Sequence, residues 1–99
     1  MAIVQLLLDK GADTNAQGGD YGNALEAASN IGNVAIVQLL LSKGANVNAQ
    51  GGLYGNALQA ASDRGYEAIV TLLLDKGADV NAVDITTVHS KQLQLKVTR

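Results

Sequence analysis

Gly-Ala followed by Asp or Asn recurs at Gly11, Gly44 and Gly77, and both intervals are 33 residues. A fixed period of this length constrains a chain more than any local propensity. Each unit is one supersecondary element that cannot bury its apolar face alone and must stack on a neighbour. Residues 18–50 and 51–83 agree at 23 of 33 positions, a likeness that marks duplication or design. Residues 2–17 match 35–50 in the same register. The chain therefore divides, within a single domain over 1–99, into a half unit (1–17), two full units (18–50 and 51–83) and a degenerate cap or tail (84–99).

Each full unit predicts two helices. Ala24 to Ser29 and Ala57 to Ser62 are short and rich in Ala and Leu, with Asn23 and Asn56 as N-caps. Gly32 and Gly65 follow where a left-handed residue ends a helix. A second helix is expected over about 34–43 and again over about 67–76. In the first of these, Ile36, Val37, Leu40 and Leu41 form one broad apolar face, which Leu39 widens. Gly44 and Gly77 close these helices, with Lys43 and Lys76 near the negative end. The stretch Asn48-Ala49-Gln50-Gly51-Gly52 suits a projecting, hairpin-like loop.

Ile36-Val37-Gln38-Leu39-Leu40-Leu41 followed by Gly44-Ala45-Asn46-Val47-Asn48-Ala49 resembles the second half of an ankyrin repeat. Asn56-Ala57-Leu58-Gln59-Ala60-Ala61 stands where that family carries Thr-Pro-Leu-His-x-Ala. The resemblance covers residues 2–84 and implies an all-α solenoid of stacked helix–turn–helix units with hairpin-like connecting loops. The chain departs from the family in having no Pro. Glu26 and Gln59 replace the His, so its hydrogen bonds between repeats fall to Asn23, Asn56 and neighbouring amides. The Gly-Gly-x-Tyr-Gly-Asn-Ala-Leu-x-Ala-Ala-Ser variant also looks like the ankyrin arrays at the C-termini of fungal NACHT-type receptor proteins.

The two ends differ from the middle. In the half unit, Ile3, Val4, Leu7 and Leu8 are expected to pack on one side only. Beyond Asp84 the pattern fails, and Leu93, Leu95 and Val97 alternate as in a strand. A divergent cap, a strand-like segment and an unstructured tail all remain open there. Residues 85–99 carry Lys91, Lys96 and Arg99 and no acid, which leaves residues 1–84 at a net −5.

Composition narrows the chemistry. The balance of −2 over 99 residues argues against nucleic acid, whose binders displace counterions with a basic stripe. Cysteine is absent, so no disulfide framework or thiolate metal site is expected. No apolar run approaches the roughly 18 residues of a membrane span, and the chain reads as soluble and cytoplasmic. His89 has no carboxylate or thiol nearby in sequence. Asp9 and Asp75, each followed by Lys (Lys10, Lys76), recur with the repeat and read as solvated surface. Ser29 and Ser62 have no positioned base and read as small buried residues bonding a backbone carbonyl. Gly18-Gly19 and Gly51-Gly52-x-x-Gly55 lack the strand and the Lys-Ser/Thr pair of a phosphate loop, so they read as turn glycines. No catalytic residue, cofactor or metal site is expected.

A binding role is sought instead where the two units differ. The family resemblance implies a concave surface made of loop tips and the exposed side of the first helix. Carried over by position, the tips present Gln17, Asp20, Gln50, Leu53 and Tyr54, and the first-helix ends present Asn30, Ile31, Asp63 and Arg64. Leu53, Ile31, Tyr54 and Arg64 are the expected anchors, since apolar, aromatic and Arg side chains dominate hot spots. The expected function is a protein-interaction module with a protein partner. The alternative is a unit that self-assembles through its open ends, as a homodimer or array.

Overall fold

A computed structural model describes residues 2–85 and residue 88. In chain order it contains α1 (Ala2–Asp9), α2 (Ala24–Ile31), α3 (Val34–Ser42), α4 (Ala57–Arg64), α5 (Glu67–Asp75) and a short 3-10 turn (Val80–Ala82). Helices α2 and α3 pack as one antiparallel unit and α4 and α5 as the next. The units stack α2 on α4 and α3 on α5. Among the described residues the architecture is all-α, and the one β-type contact is an isolated antiparallel bridge between Gly51 and Gly55.

The helix ends are fixed by local chemistry. Asn23 and Asn56 accept from the backbone N–H of Glu26 (2.8 Å) and Gln59 (2.7 Å). Each satisfies one of the donors that a helix start leaves without a partner. Gly32 (φ 91°) and Gly65 (φ 76°) then stop α2 and α4 in the left-handed conformation. Asn33 caps α3 through Ile36 N–H at 3.1 Å. Its counterpart Tyr66 makes no side-chain cap to α5 and lays its ring over Gly32 instead.

The core lies between the layers. Leu25, Ala28, Val37, Leu40, Ala57, Leu58, Ala61, Ile69 and Leu73 form one buried cluster, with Leu8 and Tyr66 packed against its edge. Small residues on the first helices let the layers approach, and leucines on the second fill the space behind.

A hydrogen-bond ladder locks successive units in register on the other side. Asn15 donates to Gly44 O (3.2 Å) and accepts from Asn46 N–H (2.6 Å). One period later Asn48 donates to Gly77 O (3.1 Å) and accepts from Asp79 N–H (2.7 Å). Each Asn side chain thus gives one carbonyl and one N–H of the neighbouring loop a fixed partner. Asp9 pairs with Lys43 of the next unit at 3.4 Å rather than with the adjacent Lys10, and both side chains are well exposed.

Two expectations are corrected. Ser29 is buried as expected, but its hydroxyl has no hydrogen-bond partner, carbonyl or otherwise. The half unit packs inward through Leu8, but Leu7 stays largely exposed. His89, Lys91 and the alternation of Leu93, Leu95 and Val97 lie outside the described residues. The last described stretch is bonded to the stack: Asp84 N–H donates to Gln59 Oε1 (2.7 Å), and Val88 N–H to Asp84 O (3.1 Å).

Candidate partner-binding surface

The loop tips are built backbone on backbone. Gly18 N–H donates to Gly22 O (2.7 Å) and Gly51 N–H to Gly55 O (2.9 Å), which closes a small hairpin in each full unit. Leu53 N–H then donates to Asp20 O at 2.7 Å and clips one tip to the other. This contact requires glycine. A Cβ on Gly52 would sit 2.5 Å from the Tyr21 carbonyl carbon, and one on Gly22 would sit 2.7 Å from that of Gly51. The Gly-Gly and Tyr-Gly pairs therefore serve close stacking between repeats as well as the turn within each.

The residues expected at the site divide into two groups. At the tips, Gln17, Asp20, Gln50 and Leu53 are exposed and Tyr54 is half-buried. Leu53 reaches 76% exposure on a backbone held at both sides. The Gln17 side chain lies across Gly51, so Gln17, Asp20 and Leu53 form one patch. At the helix ends, Ile31 is 68% exposed and Arg64 is exposed. The eight residues of α2 at about 1.5 Å rise put the two groups roughly 12 Å apart along the layer.

Asn30 and Asp63 are not presented as the sequence reading expects. Both are buried. Asn30 Oδ1 accepts from Arg64 Nε at 3.1 Å, and Asp63 Oδ1 accepts from Gln59 Nε2 at 2.8 Å. They fail as contact residues because each side chain is turned inward and bonded, Asn30 to Arg64 of the next layer and Asp63 to Gln59 one turn away. Their role is to position: Asn30 holds the Arg64 guanidinium beside Ile31.

The same layer holds Glu26, which is 0% exposed with neither carboxylate oxygen hydrogen-bonded. Burial raises its pKa from 4.5 to about 7, and the Tyr54 backbone, which acts to lower it, offsets only part of that rise. At the equivalent place Gln59 both donates to Asp63 and accepts from Asp84 N–H. Asn56 adds a bond from its Nδ2 to Ala82 O at 3.0 Å. Of the amides expected to bridge repeats, Gln59 reaches the following segment at Asp84, Asn56 bonds within its own unit, and Asn23 serves as the cap of α2.

Among the described residues no group of His, Asp or Glu could hold a metal ion, and no helix is long and apolar enough to cross a membrane. In comparisons with known proteins, the family model described as ankyrin repeats (3 copies) matches residues 1–84. No curated protein matches the chain.

Proposed function

The chain belongs to the ankyrin-repeat family, whose repeats are generally non-catalytic protein-interaction modules, and we propose that it binds a protein partner through the tip patch and the helix-end patch together. One observation carries this reading. Leu53 is 76% exposed, yet its loop is clipped by hydrogen bonds and close glycine contacts. A large apolar side chain held out on an ordered backbone loses little entropy when a partner covers it. Ile31 and Arg64 supply a second anchor, with the guanidinium already held by Asn30.

Gln17, Asp20 and Gln50 form the polar rim, and Tyr54, half-buried, supports the loop from beneath. The net −5 over residues 1–84 directs the surface away from nucleic acid and towards a protein with apolar and basic groups. On the resemblance of the Gly-Gly-x-Tyr-Gly-Asn-Ala-Leu-x-Ala-Ala-Ser variant to fungal NACHT-type arrays, the setting we favour is the sensing part of a larger cytoplasmic receptor.

Photo-crosslinkers placed separately at positions 53 and 31 test this, with controls at Gln38 and Lys76 on the second-helix side. One protein captured from both 53 and 31, and lost on Leu53→Ala with Arg64→Ala, is the expected outcome. The double substitution should weaken that partner more than about tenfold, a loss of about 1.4 kcal/mol or more. Equal capture from the control positions contradicts the proposal.

A second reading has its own observation. Ile3, Leu6 and Leu7 on α1 are all more than half exposed, which favours self-association through that end. A molar mass by light scattering that rises with concentration would support it, and a constant monomer mass would exclude it.

A further inference from the structure

Glu26 is the one ionisable residue of α2, and it sits under the tip that carries Leu53. Its side chain is 0% exposed and neither carboxylate oxygen has a hydrogen-bond partner. The group close enough to favour the charged form is the backbone of Tyr54, the residue after Leu53. The charged groups of the packed elements are engaged elsewhere. Helix α3 holds no ionisable residue. On α4 the Arg64 guanidinium is held by Asn30 and the Asp63 carboxylate by Gln59. The adjoining loops bring Asp20 and Tyr21, both exposed, with Tyr54 and Tyr66. The Ser29 hydroxyl, a turn along α2, is itself buried without a partner.

An ionised Glu26 therefore has to find water, and the cover over it differs in strength from side to side. Helices α2, α3 and α4 meet through one continuous apolar core that includes Leu25, Val37, Leu40 and Leu58. The tip has no such hold. None of residues 51–55 is buried, and the backbone bonds that fix them are Gly51 N–H to Gly55 O and Leu53 N–H to Asp20 O. Segments held by few bonds and little buried apolar surface open locally while the rest of the fold stays intact.

We infer that the tip over residues 51–55 is a proton-controlled lid on Glu26, which stays down while the carboxyl is neutral and lifts more often once it is ionised. The sign follows from burial. With the lid down the carboxyl pKa is raised to about 7, and with the lid lifted water returns it towards 4.5. The lifted state therefore gains population as pH rises through that interval and gains no more above it. The meaning for function rests on the partner-binding reading: a lifted tip no longer presents Leu53, so affinity at this surface is greatest in acid.

Hydrogen exchange of the Leu53 amide, followed by NMR and corrected for its intrinsic rate, tests the lid with no partner present. Its result is thus independent of whether the surface binds one. The Leu40 amide inside α3 reports whole-chain unfolding in the same sample. From about pH 5 to about pH 8, Leu53 protection should fall about tenfold or more further in the parent than in Glu26→Gln. It should also stay below that of Leu40 throughout. An equal fall in the two chains overturns the lid, because Glu26 is then not the group that drives opening. Leu53 protection equal to that of Leu40 overturns it as well, because the tip then opens only with the whole fold.

Discussion

Residues 18–50 and 51–83 are nearly the same sequence, yet they solve the polar interior of the first helix in opposite ways. In the second of them Gln59 and Asp63 form an amide–carboxylate pair at i and i+4, and Gln59 also accepts from Asp84 N–H. In the first the acid and the amide have changed places, as Glu26 and Asn30. The amide is then taken by Arg64, and the acid is left buried with no partner. Placing the carboxylate one turn deeper costs more than its count of charges suggests, because desolvation opposes ionisation and only the Tyr54 backbone helps. The scaffold tolerates this because Val37, Leu40 and their neighbours hold the layer regardless.

If the apolar frame is shared, equivalent core deletions should be equivalent in cost. Leu40→Ala and Leu73→Ala each leave a cavity and should each lose about 2–5 kcal/mol in urea denaturation. Losses differing by more than about half would break the comparison at its base.

The next effect separates the units. Well below pH 4.5 Glu26 is protonated in folded and unfolded chains alike and contributes nothing. As pH rises from 4.5 to about 7 the unfolded chain releases the proton while the fold retains it, so stability falls. Above that range the penalty is constant, on the order of 3 kcal/mol. Glu26→Gln should remove this fall and stabilise the chain at pH 8 by about 1–3 kcal/mol, with Asn30 available to the new amide. Gln59→Glu, which sets a second carboxylate beside Asp63, should do the reverse. Equal pH profiles for the parent and Glu26→Gln would count against the distinction.

The caps sharpen it further. Asn23→Ala removes one N-cap bond and should cost about 1 kcal/mol. Asn56→Ala removes the cap and the bond to Ala82, so thermal unfolding should show it to be the costlier by roughly 0.5–1 kcal/mol. The smallest effect belongs to the exposed Asp9–Lys43 pair. Lys43→Ala should change stability by no more than about 0.5 kcal/mol, less at high salt.

The frame was legible in the sequence because it repeats. Asn23, Asn56, Gly32 and Gly65 cap as their positions predict, and α3 and α5 end within a residue of the expected place. The site was legible only in part. Taking every position that differs between units as surface works for Asp20, Leu53, Ile31 and Arg64. It fails for Asn30 and Asp63, because they change together with Glu26 and Gln59 as buried partners one turn apart. It fails also for Tyr66, whose ring packs on Gly32. The i, i+4 spacing of those coupled changes was the available signal. The Asn15 and Asn48 clamps left a signal too, their 33-residue spacing, but nothing in one strand of sequence says which carbonyl each reaches.

The exchange of acid and amide is tested most directly by following the Glu26 side-chain carboxyl carbon by NMR through a pH titration. A midpoint near 7, well clear of the exposed carboxylates, is the expected result. A midpoint near the ordinary 4.5 would mean that Glu26 finds water or a donor, and that the two repeats are equally satisfied.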